Sequence, residues 1–450
     1  MKSHFASTLF LLVLSSWLYG QNKAPNQKPN VLVILTDDQG YFDVGAMGAS
    51  DLLTPHMDDL FAKGMRFGHF YANSPVCSPT RASLLTGRYP DQAGVPGVIR
   101  TSPDNSWGYL NPEATTLADK FKAGGYKTAI IGKWHLGTEK PNIPNLRGFD
   151  FFKGFLGDMM DDYYTHRRHG LNYMRENEKT IDPQGHATEL FSQWAVEYLE
   201  AQKDGQQPFF LYLAYNAPHT PVQAPQEWLA KTKARQPKLN DQRARLVAFI
   251  EHLDAGVGQV IDKLRSSGLY DNTIIVFSSD NGGLLSSGAN NGPLRDGKQS
   301  VYEGGLRVPT AIVWNGKVKP GMVSNYKAMT MDLYPTLLEA AGIAIGHHID
   351  GRSFLPELQG QKMDDSKRVL YFTRREGGHT YGGLTIQAIQ QNNWKLVQNS
   401  PFESPELYNL AEDPYETFNL IVSEPDQYHL LNELMMKQIQ RGGRVPWQKP

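Results

Sequence analysis

The sequence of 450 residues contains one cysteine, almost no net charge and no long apolar run. With Cys77 as its single cysteine the chain cannot form an internal disulfide, so no disulfide partner is expected. Its 45 basic and 46 acidic residues exclude the strongly basic proteins that bind nucleic acid through phosphate contacts. No segment reaches the roughly 20 apolar residues of a transmembrane helix, so no membrane span is expected.

The first 20 residues are typical of a secretory signal peptide. Lys2 supplies the positive charge, residues 9–14 the short apolar core, and Gly20 a small residue at the cut. We therefore expect an exported protein, in the periplasm of a bacterium or secreted to its surface, with residues 21–29 as a polar linker. A lone thiol in such a protein is either buried and inert or reactive, and composition leaves both open.

Apolar runs and helical patterns alternate along the first three quarters of the chain. Buried strands are predicted at 30–35, 126–131, 209–215, 273–279 and 308–314. Amphipathic helices are predicted at 54–64, 116–123 and 241–267. This alternation predicts an α/β domain, residues 30–366, whose large and mostly parallel sheet is sandwiched by helices.

The pattern of predicted secondary structure changes at about residue 367. Short strand-like segments at 369–372, 384–389 and 394–397 alternate with turn residues and precede a helical pattern at 427–440. Residues 367–450 are therefore predicted to form a smaller C-terminal α+β subdomain.

Polar side chains follow four of the predicted strands, where ligands bind in parallel sheets. They are Asp37 and Asp38, Lys133 and His135, His219, and Asp280 and Asn281. The three carboxylates and one amide are hard oxygen ligands, which suit Ca²⁺ or Mg²⁺ rather than zinc. Taken alone, each acidic pair is equally typical of a helix cap or an Asx turn.

Cys77 opens the segment CSPTRASLLTGR at residues 77–88. Pro79 fits the first turn of a helix, which places Cys77 near a helix N-terminus, where the partial positive charge favours an anion. A cysteine at this position is either a thiolate nucleophile with a histidine base or a modified residue.

The run Cys77-x-Pro79-Thr80-Arg81-x-x-x-Leu85-Thr86-Gly87-Arg88 resembles the signature of the formylglycine-dependent type I sulfatases, within the alkaline-phosphatase superfamily. Other features of that family follow in order: DD at 37–38, GKWHLG at 132–137, PH at 218–219, SDNG at 279–282, PLRDGK at 293–298, EGGLRVP at 303–309 and LYNL at 407–410. The resemblance covers roughly residues 29–425. It implies an alkaline-phosphatase-like fold whose C-terminal subdomain contains a short antiparallel sheet.

The resemblance implies that Cys77 is oxidised to Cα-formylglycine by a formylglycine-generating or anaerobic maturation enzyme. The hydrated aldehyde would then attack sulfur in place of a thiolate. The implied metal ligands are Asp37, Asp38, Cys77, Asp280 and Asn281, with Ca²⁺ favoured over Mg²⁺.

The remaining matched positions carry implied catalytic roles. Arg81 would hold the hydrated aldehyde, and Lys133 and Lys298 would bind sulfate oxygens. His135 would accept a proton as sulfate leaves, and His219 would protonate the departing alkoxide. The roles of the two histidines are exchangeable at this stage.

Two basic clusters outside the matched motifs are candidates for substrate binding. One lies in the insertion at 154–185 and contains Tyr163, His166, Arg167 and Arg168, and the other contains Arg374, Arg375 and His379. Aromatic and basic side chains suit a sulfated sugar, although either cluster also fits a solvated face. We expect a sulfated poly- or oligosaccharide substrate, either an algal polysaccharide such as ulvan or carrageenan or a glycosaminoglycan.

Four alternatives remain open from the sequence. Two are enzymes of the same superfamily: an arylsulfatase, and a hydrolase of phosphonate monoesters or phosphodiesters. A third is a non-catalytic glycan-binding descendant, which would be expected to have lost some of Cys77, Arg81, Asp280 or Lys298. The fourth is a Cys-His hydrolase, which predicts an alkylatable thiol at Cys77.

Overall fold

The computed structural model describes residues 28–377, 384–446 and 448. The predicted signal peptide, most of the predicted linker and His379 lie outside these residues. No helix among the described residues has the length and apolar character needed to cross a bilayer.

Ten helices are present in the described chain. They are α1 (Pro55–Lys63), α2 (Cys77–Thr86), α3 (Leu117–Ala123), α4 (Ala187–Glu200), α5 (Gln226–Arg235), α6 (Asp241–Ser266), α7 (Glu303–Leu306), α8 (Leu333–Ala340), α9 (Leu355–Leu358) and α10 (Pro425–Gly442). The predicted helices at 54–64, 116–123, 241–267 and 427–440 correspond to α1, α3, α6 and α10.

The strands of the first three quarters of the chain are β1 (Asn30–Thr36), β2 (Met65–Phe67), β3 (Phe70–Tyr71), β4 (Lys127–Lys133), β5 (Phe151–Phe155), β6 (Arg167–Arg168), β7 (Leu171–Asn172), β8 (Met174–Glu176), β9 (Lys179–Thr180), β10 (Phe209–Ala214), β11 (Thr273–Ser279), β12 (Ala311–Trp314), β13 (Met322–Ser324) and β14 (Ala328–Met329). The last four strands are β15 (Val369–Arg375), β16 (Thr385–Gln391), β17 (Trp394–Gln398) and β18 (Glu406–Asn409).

Ten strands form one large sheet in the order β13-β2-β12-β11-β1-β10-β4-β5-β8-β9. Its central strands β11, β1, β10, β4 and β5 are parallel to their neighbours, whereas β12 and β8 join that central block antiparallel. Successive side chains of β1 enter two different hydrophobic clusters, because a strand directs alternate residues to opposite faces. The predicted α/β sandwich is therefore confirmed.

The last four strands form a separate antiparallel sheet in the order β15-β16-β17-β18, which contacts α10. The predicted C-terminal α+β arrangement is confirmed, and β18 extends it by one strand. Buried Lys395 on β17 forms ion pairs with Glu303 on α7 and with Glu416, at 2.9 and 2.8 Å. This buried ion-pair network links the small sheet to the loop region of the large one.

Candidate active site

Four adjacent strands deliver polar side chains to one edge of the large sheet. The order β11-β1-β10-β4 aligns the carboxyl ends of four strands: Asp280, Asp37 and His219 follow β11, β1 and β10, and Lys133 is the last residue of β4. The register pairs Thr36 with Ser279, so the acidic residues that follow β1 and β11 start side by side. The backbone N–H of Asp38 donates to Asp280 Oδ1 at 3.2 Å, which joins the two groups directly.

Cys77 is the first residue of α2 and is 3 % exposed. Its Sγ lies 3.3 Å from Asp37 Oδ1, 4.0 Å from Asp38 Oδ1 and 3.6 Å from Lys298 Nζ. Burial and the Asp37 carboxylate raise the pKa of the Cys77 thiol well above its ordinary value. No histidine among the described residues has a hydrogen bond to Cys77 Sγ, so this geometry does not favour the Cys-His hydrolase.

Three cations neutralise the acidic cluster. Arg81 is fully buried and places two nitrogens 2.7 and 3.0 Å from Asp280 Oδ2. Lys133 Nζ lies 2.5 Å from Asp37 Oδ2, and Lys298 Nζ lies 2.7 Å from Asp38 Oδ2. The lysines thus hold opposite sides of the aspartate pair that faces Cys77.

The pKa values of Asp37 and Asp280 are shifted in opposite directions. Burial alone would raise the pKa of Asp37, but Lys133, His219 and Arg81 hold it well below its ordinary value. Burial and the Asp37 charge raise the pKa of Asp280 to about 7, although Arg81 acts in the opposite direction. A further positive charge beside these residues would therefore favour the ionised form of Asp280.

The donor set fits a divalent cation bound through oxygen. Ligand atoms of Asp37, Asp38, Cys77 and His219 lie within 4.8 Å of one another. The side-chain oxygen Oδ1 of buried Asn281 has no hydrogen-bond partner, while its Nδ2 donates to Asp38 Oδ1 at 2.8 Å. A buried carbonyl without a donor is costly unless a cation or another donor meets it, so Asn281 fits a metal ligand.

The two histidines are held by different backbone carbonyls. His135 Nε2 lies 2.8 Å from the Ile99 oxygen, and His135 Nδ1 has no hydrogen-bond partner. His219 Nδ1 lies 2.7 Å from the Thr220 oxygen, and its Nε2 lies 3.6 Å from Asp38 Oδ2.

Both imidazoles have lowered pKa values. Burial, Lys133 and Arg81 lower the pKa of His135 well below its usual value. Burial and Lys298 lower the pKa of His219, against the opposing effect of Asp38. In each ring one nitrogen contacts a backbone carbonyl, and the second nitrogen, His135 Nδ1 or His219 Nε2, has no carbonyl partner.

A cavity of about 190 Å³ opens above these residues, and we call it the Cys77 cleft. Its lining includes Cys77, His135, His219 and Lys298, which we call its floor. It also includes Arg100, Asp158, Arg168 and Arg374, which we call its outer wall.

Only some residues of the two predicted substrate-binding clusters line this cleft. Arg168 and Arg374 line it. Arg167 instead pairs with Asp182 at the surface, and His166 is buried with Nε2 3.0 Å from the Gly185 oxygen. Arg375 lies away from the cleft lining and donates to Tyr371 Oη at 3.0 Å.

Tyr163, one of the candidates for substrate binding in the sequence, is buried in the structure. It is 1 % exposed, and its hydroxyl lies 2.7 Å from the Asn216 carbonyl and 2.9 Å from the His219 carbonyl. Tyr163 therefore positions the loop that carries His219.

Sequence reasoning missed two residues of the outer wall and one that supports it. Arg100 and Asp158 line the cleft. Glu376 is buried and accepts from Arg100 at 2.7 Å and from Arg374 at 2.9 Å. These residues lie in loops or at a strand end, outside any motif, so only contacts between distant parts of the chain reveal them.

Comparison with known proteins identifies the family of the chain. The sulfatase family model matches residues 29–343, and the model described as N-sulphoglucosamine sulphohydrolase, C-terminal, matches residues 296–442. The chain is similar to the N-acetylgalactosamine-6-sulfatase of Canis lupus familiaris, with 34% identity over 94% of this chain and 87% of the relative. It is similar to a sulfatase of Formosa agariphila, with 28% identity over 96% of this chain and 91% of the relative.

Among solved structures, Ps i-CgsB in complex with k-i-k-neocarrahexaose has a TM-score of 0.84 and 32% identity over 94% of this chain and 95% of that chain. The ten-stranded sheet, the site at its edge and a family match over more than two thirds of the chain lead to one conclusion. The chain belongs to the sulfatase family and is a sulfuric ester hydrolase.

Proposed function

We propose that this protein is an exported, formylglycine-dependent and Ca²⁺-binding sulfatase that removes sulfate esters from a sulfated poly- or oligosaccharide. One observation carries the proposal: Cys77 lies at the floor of the Cys77 cleft, between a cluster of oxygen ligands and the Lys298 ammonium. Asp37, Asp38, Asp280 and Asn281 are the residues that would hold the cation. When present, the cation supplies Lewis acidity and the aldehyde hydrate at position 77 supplies an oxygen nucleophile.

The two lysines would bind the sulfate group. Lys133 and Lys298 reach the site from β4 and from the loop after β11, and each already lies against one aspartate of the pair. Donors fixed in a buried site stabilise charge that develops on sulfate oxygens without reorganising. Arg81 donates from two nitrogens to the single oxygen Asp280 Oδ2 and thereby fixes the start of the helix that carries position 77.

The carbonyl partners of the histidines support an assignment of proton-transfer roles. The Ile99 carbonyl fixes the proton of His135 on Nε2, so Nδ1 is an acceptor and suits the base. The Thr220 carbonyl fixes a proton on His219 Nδ1, which leaves Nε2 toward the aspartates. Once protonated at Nε2, His219 suits the general acid that delivers a proton to the leaving alkoxide.

The carbohydrate part of the proposal is supported by the cleft wall and by the relatives. Arg100, Arg168 and Arg374 are held by buried or half-buried carboxylates, so they form a rigid polar wall. Such a wall suits hydroxyl and anionic groups better than an aryl ring. The relatives named above include an N-acetylgalactosamine-6-sulfatase, and a solved neighbour contains a carrageenan oligosaccharide.

The test begins with protein made in a host that contains a maturation enzyme. Mass spectrometry of the peptide with residue 77 is expected to detect the aldehyde, and ion chromatography is expected to detect sulfate released from sulfated polysaccharides or their oligomers. Cys77→Ala, made in the same host, is the matched control and is expected to release none. A fully alkylatable Cys77 in active enzyme would contradict the formylglycine assignment, and faster turnover of phosphonate or aryl sulfate esters would contradict the substrate class.

A further inference from the structure

A second cavity of about 180 Å³ adjoins the Cys77 cleft. Arg100 lines both spaces. The wall between them is thin, because His135 faces the cleft while the next residue, Leu136, faces the second cavity. The backbone of Ile99, which accepts from His135 Nε2, also lines the second cavity.

The walls of the second cavity are firmly held. The N–H of Tyr109 donates to the Gly94 carbonyl at 2.8 Å, and Trp107 donates to Val98 at 2.9 Å. Asn142 on the opposite wall donates from Nδ2 to the Leu110 carbonyl at 2.8 Å. The cavity is therefore preorganised, which lowers the entropic cost of filling it.

The lining has the composition of a sugar-binding surface. Thr101, Ser106 and Thr138 provide hydroxyls, Tyr109 provides an aromatic ring, and Asn142 provides an amide. Hydroxyl and amide groups can hydrogen-bond to sugar hydroxyls, and an aromatic ring can pack against the apolar face of a sugar ring.

We propose that the second cavity binds the sugar unit next to the one that carries the scissile sulfate, so that the substrate chain passes over Arg100 from one space into the other. Hydroxyls of that neighbouring sugar hydrogen-bond to the side chains of Thr101, Ser106 and Thr138, and one face of its ring packs against Tyr109. This inference rests on the proposed function, and it adds a chain-length preference that the Cys77 cleft alone does not require.

The test compares substrates of one, two, four and six sugars. Neocarra-oligosaccharides and chondroitin 6-sulfate oligosaccharides are incubated with the aldehyde-bearing full chain, beside galactose 4-sulfate and N-acetylgalactosamine 6-sulfate. For the series that is hydrolysed, kcat/KM is expected to rise at least about tenfold from one sugar to two or more.

Two variants connect that preference to the second cavity. Thr138→Trp fills the cavity from an exposed position, and Tyr109→Ala removes the ring. Each is expected to reduce the ratio of oligosaccharide to monosaccharide kcat/KM to about threefold or less. Thr180→Trp on β9, also exposed and outside both cavities, is the matched control and is expected to keep the wild-type ratio.

The possible failures are distinguishable. Equal kcat/KM for one sugar and for longer chains overturns the second subsite while the sulfatase proposal stands. A wild-type ratio in both Thr138→Trp and Tyr109→Ala overturns this location of the subsite. Absence of sulfate release from every carbohydrate tested overturns the proposed substrate class and this inference with it.

Discussion

Replacing Lys298 with methionine removes one positive charge from the Cys77 cleft and keeps a side chain of similar length. Lys298 Nζ lies 2.7 Å from Asp38 Oδ2 and 3.6 Å from Cys77 Sγ, and its side chain is 9% exposed. Burial would lower the pKa of Lys298, but Asp38 and Cys77 raise it above its ordinary value. The lysine is therefore charged whenever sulfate enters the cleft.

The expected loss of kcat in Lys298→Met follows from the removal of a single fixed hydrogen-bond donor. Removing one preorganised donor from developing negative charge costs about 10²–10³ in kcat, or roughly 3–4 kcal/mol. Substrate binding draws on the whole cleft wall, so we expect the loss in kcat rather than in KM. Binding of Ca²⁺ is expected to be at least as tight as in the wild type, because the variant makes the surroundings of Asp38 more negative.

The assay measures sulfate release under saturating substrate, together with Ca²⁺ affinity by calorimetry. Lys395→Met is the matched control, because Lys395 is also buried between carboxylates but lies in the small sheet, away from both cavities. It is expected to lower the melting temperature while the folded enzyme keeps its kcat. A Lys298→Met enzyme with kcat within threefold of the wild type, or with markedly weaker Ca²⁺ binding, would refute the assigned role.

Three further predictions concern the metal site and the scaffold. Asn281→Leu removes the unpartnered Oδ1 and is expected to weaken Ca²⁺ binding by about 10–100-fold in calorimetry; unchanged affinity would exclude Asn281 as a ligand. Gly132 has φ +105°, and a Cβ there would lie 1.9 Å from the Ala214 oxygen. Gly132→Ala is therefore expected to lower the unfolding free energy, measured with denaturant, by at least about 3 kcal/mol. A smaller decrease would count against the clash. Burial raises the pKa of Asp254 from 3.8 to about 7, so the folded state binds its proton more tightly and the unfolding free energy falls as pH rises through that range. Asp254→Asn is expected to remove up to about 4 kcal/mol of this fall. A variant whose unfolding free energy keeps the wild-type pH profile would contradict the shift.

Much of the fold and of the acidic cluster could be predicted because both follow from strands. Continuous apolar runs located β1, β4, β10 and β11, and the polar residues after each run reached the same sheet edge in the structure. The placement of Cys77 and Lys298 at that edge was predicted only from family motifs, the signature at 77–88 and the motif at 293–298, since α2 and the loop after β11 carry no periodicity that points toward that edge. Short edge strands such as β2 and β13 have too few residues to give a pattern.

The cleft wall could not be predicted because its contacts join distant parts of the chain. Glu376 accepts from Arg100, 276 residues earlier in the sequence, and Arg168 pairs with Asp158 and Asp161 in the segment between β5 and β6. Loop residues of this kind lack the spacing rules that govern helices and strands. Their roles emerge only when a carboxylate is found buried between two arginines.

The two pairs of adjacent arginines show that neighbouring basic residues in a sequence need not contribute to the same site. Arg167 and Arg168 form β6, and Arg374 and Arg375 end β15, so in each pair the backbone directs neighbours to opposite sides. Arg168 and Arg374 reach the Cys77 cleft, whereas their partners bind Asp182 at the surface and Tyr371 outside the cleft lining. Once a segment is extended, the alternation of its side chains decides which charge meets the substrate, and the pair should be treated as two separate residues. Substitution of Arg168 or Arg374, rather than of both members of a pair, is therefore the informative change for substrate recognition.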